Sequence, residues 1–324
     1  MTGSRTARVR VPATSANLGA GFDCIGIAVD LWLVASVEAE DTLHSGDAAI
    51  TIRREGTLES LALPPDDDAL VAGFIAACAA RDYAIPKRLA FAVHSEIPVA
   101  RGLGASSAAL VAGAGLADVA LGLGFDSTGL AELCTRLEGH PDNVAPAVFG
   151  GAVLGVPGEG SGEGPPWVFA PLPVHPDLAF VFVIPPFSVE TALARAILPS
   201  EVAHEIAVTA AGKGAALVHG LATGDGALLR IALDDVVHVP YRRQLVPGLA
   251  SLCDTAVSAG AFGATLSGSG STLMAIAPQE AAVRVAEAMR VRWSELGVQA
   301  ETLVQRRPAT IGLMCGSYPS THPS

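Results

Sequence analysis

The segment PVARGLGASSAA, Pro98–Ala109, constrains this chain most, because it joins a predicted strand to a predicted helix through a glycine turn. Apolar residues alternate with small or polar ones over 89–93, which is typical of a strand, and the small-residue run after the turn predicts a helix. Gly102 and Gly104 permit tight backbone geometry close to a ligand. The start of the following helix presents unpaired N–H groups and the positive end of its dipole. We therefore expect an anion, such as the phosphates of a nucleotide, to bind at this turn.

The turn does not match either of two common nucleotide-binding patterns. No Lys-Ser/Thr pair follows it, as a P-loop requires, and position 107 is Ser rather than the last glycine of G-x-G-x-x-G. Ser106 and Ser107 offer hydroxyls that can bond a phosphate or bind Mg²⁺, an ion that bridges phosphates through few protein oxygens. On spacing alone, a purely structural glycine turn with a helix packed closely on a sheet fits equally well.

Charge and composition narrow the classes of partner. The net charge of −12 leaves no general basic field, so nucleic acid and anionic membranes are poor partners. Only Lys87 and Lys213 of the 20 basic residues are lysines, so any cation that the chemistry needs is expected to be an arginine. The 5 cysteines are widely spaced and lack a Cys-x-x-Cys pair, which argues against a disulfide framework and a thiolate zinc site. Reduced thiols in a cytoplasm fit best.

The pattern along the chain predicts two units. The Gly- and Pro-rich segment Gly155–Pro166 is the predicted boundary or surface loop, and the tail from Cys315 is predicted to be disordered. The uncharged run Thr255–Gln279 is long enough to span a bilayer. Its SGSGS centre and Pro278 indicate two elements joined by a glycine loop instead, so we expect a soluble protein.

Three further motifs accompany the glycine turn: PATSANLGAGFD (Pro12–Asp23), EGHPDNVAPAVFGG (Glu138–Gly151) and GAFGATLSGSGST (Gly260–Thr272). In this order, the four resemble the motifs of the GHMP kinase superfamily, and TSANLGAGFD is similar to the form in its homoserine kinase branch. The resemblance extends over residues 9–304.

The resemblance implies an α+β fold of two domains with the active site in the cleft between them. Residues 1–156 would form an ATP-binding α+β domain of the type also seen in a ribosomal protein. Residues 157–312 would form a ferredoxin-like α/β sandwich, and residues 313–324 a disordered tail.

The resemblance also implies ATP and Mg²⁺ as cofactors. The residues expected to wrap the ATP phosphates are Pro98, Val99, Ala100, Arg101, Gly102, Leu103, Gly104, Ala105, Ser106, Ser107 and Ala108. Ala105 stands where the family motif has its first serine. Aligned without a gap, Ser106 takes the position that faces Mg²⁺, and Glu138 matches the carboxylate ligand. A one-residue insertion would shift both serines instead, but a longer loop would disturb the phosphate-binding turn, so the alignment without a gap is preferred.

The implied reaction is transfer of the γ-phosphoryl group of ATP to the side-chain hydroxyl of L-homoserine, which gives O-phospho-L-homoserine in threonine biosynthesis. Asp23 matches the partner of the substrate ammonium. Arg195 and Arg242 match the arginines that hold its carboxylate, although Arg243 is adjacent to Arg242, and a guanidinium fork suits a carboxylate. The residues that match the remaining substrate contacts are Asn17, His140, Asn143 and Thr191. The catalytic candidates are Asn17, Asp142, Asn143 and Arg242, with Asp142 a candidate base only.

The expected partner is this small molecule, with no nucleic acid or membrane. Family habit implies a homodimer, and the cysteine pattern favours the cytoplasm. Two alternatives stay open: another small-molecule kinase of the GHMP type, and a nucleotide-binding paralogue without turnover. Only the Ala105 departure supports the second alternative, because Ser106, Glu138 and Asp142 are all present.

Overall fold

Two long antiparallel strands, β1 (Arg5–Asn17) and β2 (Gly21–Glu40), form the centre of the larger of two sheets. Their register pairs Val9 with Ala35 and Ser15 with Ile27. Apolar, β-branched stretches at residues 8–11 and 27–38 predict two shorter strands with a long loop over the first motif. The observed strands extend through the motif and leave only residues 18–20 between them. The polar residues of this stretch fit a buried strand because other side chains satisfy them, as when Ser267 bonds the Ser15 hydroxyl at 2.8 Å.

The structure is a computed structural model that describes residues 4–43, 49–159 and 166–316. The other strands are β3 (Ile50–Gly56), β4 (Arg88–Ser95), β5 (Ala152–Pro157), β6 (Trp167–Leu172), β7 (Leu178–Ile184), β8 (Gly263–Leu266), β9 (Leu273–Pro278), β10 (Glu301–Gln305) and β11 (Met314–Cys315). The helices are α1 (Ala69–Ala79), α2 (Ala105–Leu121), α3 (Ser127–Glu138), α4 (Val144–Phe149), α5 (Thr191–Ala196), α6 (His204–Thr223), α7 (Gly226–Leu233), α8 (Val239–Arg242), α9 (Leu249–Ser258) and α10 (Ala282–Glu295).

The strands form two sheets, and all four strands of the smaller one lie within the second predicted unit. The larger sheet has the order β11-β1-β2-β4-β3, with β5 paired to both β2 and β6, and the smaller has the order β10-β7-β9-β8. Every residue of β7 is buried, as its continuous apolar sequence predicts. Helix α2 packs on β1 and β2, so the glycine turn before it lies at the end of the larger sheet.

The larger sheet extends beyond the predicted boundary at residues 156 and 157, because the β5–β6 hairpin continues it to Leu172. The start of the predicted disordered tail is also a strand, since β11 pairs with β1 through Val9 and Cys315. Leu313, just before this strand, packs against the apolar core, and burial of its side chain stabilises the docked segment. The rest of the predicted tail, 317–324, and residues 160–165 of the predicted boundary loop lie outside the described residues.

One apolar core runs through both sheets, from Val11 and Phe74 in the N-terminal half to Phe182 and Met274 in the C-terminal half. Within the described residues, α6 is long and apolar enough to cross a membrane by length and composition, with 22% of its apolar window buried. A single helix of this kind is weak evidence for a membrane span, because core helices of soluble proteins pass the same test.

Candidate active site

A pocket of about 300 Å³ lies between the two halves of the molecule, where all four sequence motifs meet. Every site residue predicted from the sequence lines this pocket except Pro98 and Ala108. Ala108 is fully buried within α2 and faces the core. The structure therefore brings together the phosphate-binding, metal-binding and substrate-binding candidates.

The glycine turn has the backbone shape that its sequence predicts. Ala100, Gly102 and Gly104 have φ of +55°, +78° and +67°, in the left-handed region. Gly104 is the N-cap of α2 and no side chain caps this helix, so the first N–H groups of α2 have no partner from a cap. This turn can hold an anion against a helix N-terminus.

The third motif folds back onto this turn. A Cβ on Gly102 would lie 2.1 Å from the carbonyl oxygen of Ser267, so only glycine fits there. The Ser267 hydroxyl is 2.6 Å from the Gly102 carbonyl, and the Thr272 N–H donates to the Arg101 carbonyl at 3.1 Å. The SGSGS segment is thus a tight loop of the site and not a flexible linker.

The predicted metal ligand Glu138 is close to a serine of the turn. The Ser107 hydroxyl donates to Glu138 Oε1 at 3.0 Å, whereas Ser106 is exposed at the start of α2. A hydroxyl and a carboxylate beside a phosphate site are a donor set that suits Mg²⁺. The alignment without a gap selects Ser106 for this place, whereas the structure brings the Ser107 hydroxyl into contact with Glu138.

The opposite end of the pocket carries opposed charges. Arg195 donates to Asp23 through both terminal nitrogens, at 2.9 and 3.2 Å, and this bonding raises the pKa of Arg195. Arg242 is 2% exposed, and its Nε donates to the Ala194 carbonyl at 3.1 Å. Burial and the nearby Arg195 charge lower the pKa of Arg242.

His140 and Asp142 form a hydrogen-bonded pair at the same end of the pocket. His140 Nδ1 is 2.5 Å from Asp142 Oδ1, and Asp142 is 2% exposed. Burial opposes protonation of His140, but the bond to Asp142 and its charge outweigh burial and raise the pKa of His140. One ligand atom each from Asp23, His140 and Asp142 lie within 4.8 Å of one another, a spacing that a metal ion could bridge. Arg195 already balances Asp23 there, which favours an organic ligand over a cation.

The remaining polar candidates also line the pocket, and each already makes at least one hydrogen bond or close polar contact within the protein. Asn17, at φ +75°, donates to the Gly268 carbonyl at 2.9 Å and accepts from the Asp23 N–H at 3.0 Å. Asn143 Oδ1 accepts from the Thr14 hydroxyl at 2.8 Å. Thr191 Oγ1 is 3.1 Å from Ser269 Oγ. Asn17 therefore fastens the first motif to the third, in addition to lining the pocket.

Sequence reasoning missed the apolar end of the pocket. The residues that line it are Leu58, Leu61, Leu63, Val93 and the ion pair of Arg54 with Asp68. The two atoms of that pair lie 2.5 Å apart, and the side chains are 13% and 11% exposed. These residues belong to no motif. Asp68 also begins α1 as its N-cap and accepts from the Leu70 N–H, which fixes its carboxylate beside Arg54.

Comparison with known proteins agrees with this site. The sequence profile of the GHMP kinases N terminal domain matches residues 69–151, and that of the GHMP kinases C terminal domain matches residues 217–295. The chain belongs to the GHMP kinase family, and the two-domain α+β fold implied by the motifs is confirmed.

The relatives specify a branch of that family. The chain is 39% identical to the homoserine kinase of a Synechococcus sp. over 91% of this chain and 94% of the relative. It is 37% identical to that of a Picosynechococcus sp. over 90% and 93%. The crystal structure of homoserine kinase from Cytophaga hutchinsonii superposes with a TM-score of 0.81 at 28% identity, and covers 96% of this chain and 97% of the other.

Proposed function

We propose that this protein is an ATP-dependent homoserine kinase, which phosphorylates the side-chain hydroxyl of L-homoserine to give O-phospho-L-homoserine. The observation that carries the proposal is the charge arrangement at the substrate end of the pocket, where the carboxylate of Asp23 lies with the guanidinium groups of Arg195 and Arg242. An amino-acid zwitterion needs both signs, whereas a sugar needs neither and an isoprenoid acid only a cation.

The substrate end is assigned from these charges. Asp23 would bind the ammonium, and the guanidinium groups of Arg195 and Arg242 would bind the carboxylate. Because Arg195 and Asp23 pair with each other across 2.9 Å, the substrate inserts between two charges that already balance. His140, Asn143 and Thr191 would orient the polar ends of the substrate, and Asn17 would hold the start of β2, which carries Asp23.

The nucleotide end is assigned from the turn and the apolar wall. ATP use follows from membership of the kinase family. The phosphates would lie against residues 99–107 and the N-terminus of α2, with the base against the apolar end near Leu58 and Leu61. Glu138 with Ser107 or Ser106 would hold Mg²⁺, which neutralises phosphate charge when bound.

The reaction needs mainly alignment and charge stabilisation. A bond forms between the homoserine oxygen and the γ-phosphorus, the bond from the γ-phosphorus to the β–γ bridging oxygen breaks, and ADP leaves. Asp142 is the candidate acceptor of the hydroxyl proton, and its hydrogen bond to His140 at 2.5 Å would orient it. We also propose that the enzyme acts in the cytoplasm and forms a homodimer. Size-exclusion chromatography with light scattering tests the oligomeric state.

A coupled ADP-release assay with ATP, Mg²⁺ and L-homoserine tests the function, with L-serine, L-threonine, mevalonate and galactose in parallel. We expect turnover with homoserine well above that with each of the others. Stronger turnover with mevalonate or galactose would assign the chain to another GHMP-type kinase. ATP binding without turnover of any of the five would support the non-catalytic alternative that Ala105 raises.

A further inference from the structure

One buried histidine lies directly behind Arg242 and is absent from the sequence motifs. His238 is 0% exposed and does not line the pocket. Its Nδ1 is 3.2 Å from Arg242 Nη1, and its Nε2 is 3.2 Å from the Gly19 carbonyl oxygen. It therefore contacts both an arginine proposed to bind the substrate carboxylate and the turn that precedes Asp23.

We propose that His238 is a positioning residue, an inference that rests on the proposed function. As a neutral Nε2–H tautomer, His238 accepts a hydrogen bond from Arg242 and fixes that guanidinium for the substrate carboxylate.

The two contacts determine the tautomer. A guanidinium only donates hydrogen bonds, so Nδ1 of His238 must offer its lone pair to Arg242. A carbonyl oxygen only accepts, so Nε2 must carry the proton that faces Gly19. A ring with protons on both nitrogens would turn an N–H toward the Arg242 N–H, and its charge would repel the guanidinium.

The surroundings keep the ring neutral. The charged groups that act on His238 are Asp235, whose Oδ2 is 3.7 Å from Nε2, Arg242, and more weakly Asp23, which also raises the pKa of the ring. Burial lowers the pKa of His238, Asp235 raises it and Arg242 lowers it again, with a net lowering below the ordinary value. Asp235 Oδ2 also accepts from the N–H groups of residues 237, 238 and 239, so this carboxylate already has several donors.

Ring stacking also connects His238 to the segment that carries Asp23, the residue proposed to bind the substrate ammonium. The Phe22 ring stacks on the His238 ring with centroids 4.7 Å apart and planes 18° apart. The Arg242 Cζ atom is 5.3 Å from the centre of the Phe22 ring. Since Phe22 adjoins Asp23 in the chain, His238 holds a carboxylate-binding arginine and the segment of the ammonium-binding Asp23 in one rigid unit.

Three variants separate the two contacts of the ring. His238→Phe keeps a stacking ring without either nitrogen. His238→Asn places an amide oxygen near the Nδ1 position, so it can still accept from Arg242. His238→Gln reaches the Nε2 position and can still donate to Gly19. His219→Asn, on the exposed face of α6, is the matched control.

The measurement is the homoserine KM and the ATP KM of each variant, with far-UV circular dichroism and thermal unfolding to show folding. We expect His238→Phe and His238→Gln to raise the homoserine KM on the order of tenfold or more, since each loses a hydrogen bond to a charged group. We expect His238→Asn to stay within about threefold of the parent because it keeps that bond. The ATP KM should not move. In an Arg242→Met background, His238→Phe should add almost nothing to the loss in kcat/KM, as expected for residues that act through one interaction.

Equal rises in both KM values, an Asn variant as impaired as the Phe variant, or additive losses in the double variant would overturn the proposal. Two-bond ¹H–¹⁵N correlation spectra of the histidine rings provide a readout that needs no substrate. We expect Nδ1 of His238 to be unprotonated and Nε2 protonated from pH 6 to 8, and a protonated Nδ1 would overturn the proposal. Absence of homoserine turnover in the parent protein would refute the proposed function instead, whatever the tautomer of His238.

Discussion

Arg195→Met tests the assignment of the substrate end most directly. Arg195 lies on α5 in the C-terminal half and reaches Asp23 on β2 in the N-terminal half, with side chains 39% and 34% exposed. Methionine keeps the length and apolar stem of the arginine and removes its charge and fork. The variant therefore loses one carboxylate-binding group and leaves Asp23 without its partner.

The expected size follows from these two losses. A hydrogen bond to a charged group contributes about 1.5–3 kcal/mol, which corresponds to a rise of about 10- to 150-fold in the homoserine KM. The Asp23 pair is more than a third exposed on the Arg195 side, so solvent screening limits its own contribution to folding stability to about 1 kcal/mol or less. We expect a large change in substrate affinity and a small change in the free energy of unfolding.

The assay is steady-state ADP release, with homoserine varied at saturating ATP and then ATP varied at saturating homoserine. Arg195→Lys, which keeps the charge without the fork, should lie between the parent and Arg195→Met. Arg290→Met on the exposed surface of α10 is the control and should leave both KM values unchanged. Equal rises in the two KM values for Arg195→Met would refute the assignment and move this arginine to the phosphates.

Three further predictions concern the turn, the metal and pH. Gly102→Ala and Gly122→Ala each place a side chain on a left-handed backbone, which costs roughly 1–2 kcal/mol. The new Cβ would lie 2.1 Å from the Ser267 carbonyl oxygen at Gly102, whereas at Gly122 it would meet nothing within 4 Å. Only Gly102→Ala should therefore raise the ATP KM, and a similar rise in both would contradict the close-packed turn. Glu138→Gln should raise the Mg²⁺ concentration for half-maximal rate roughly tenfold, as loss of an ionised oxygen ligand predicts, with exposed Glu295→Gln unchanged. The pKa of His238 is lowered below 6.5 in the folded protein, so as the pH falls this histidine is protonated first in the unfolded chain. The free energy of unfolding should therefore decrease below pH 6.5, by up to about 1.4 kcal/mol per pH unit. Urea titrations from pH 7 to 5 should show a smaller decrease in His238→Asn than in the parent or in His219→Asn, and equal slopes in all three would show that His238 does not contribute.

The parts of the site that the sequence predicts are those with a local cause. The turn at Gly102 follows from two glycines in a twelve-residue segment that lies between a predicted strand and a predicted small-residue helix, and Asp23 and Glu138 are identified by motifs of similar length. Alternation in β4 and the continuous apolar run of β7 likewise predict those two strands, whereas the α+β class comes from the resemblance of the four motifs to the GHMP kinases. In each case the residues that determine the structure are neighbours in the chain.

The parts that could not be predicted depend on contacts between distant residues. Which serine faces Glu138 depends on the rotation of α2, which sequence spacing alone does not determine. The strand character of Met314 depends on an open edge at β1, roughly three hundred residues earlier in the chain. The role of Arg54 in the pocket depends on its pairing with Asp68 across a strand and a helix start, and no motif marks either residue.

The glycines of the turn and of the third motif have one shared geometric reason. A Cβ on Gly102 would lie 2.1 Å from the Ser267 carbonyl, and one on Gly270 would lie 2.7 Å from the Gly102 Cα. The two loops thus touch backbone to backbone, and the Thr272 N–H donates to the Arg101 carbonyl. The Val189 N–H, outside both loops, donates to the Ala100 carbonyl, so that both bonds join the phosphate turn to the C-terminal half. Because Val189 lies just before the helix that carries Arg195, these contacts set the distance between the phosphate turn and that arginine. Alignment of the two substrates is the main requirement of phosphoryl transfer, so side chains as small as a methyl group at these glycines would disturb the reaction without touching either substrate.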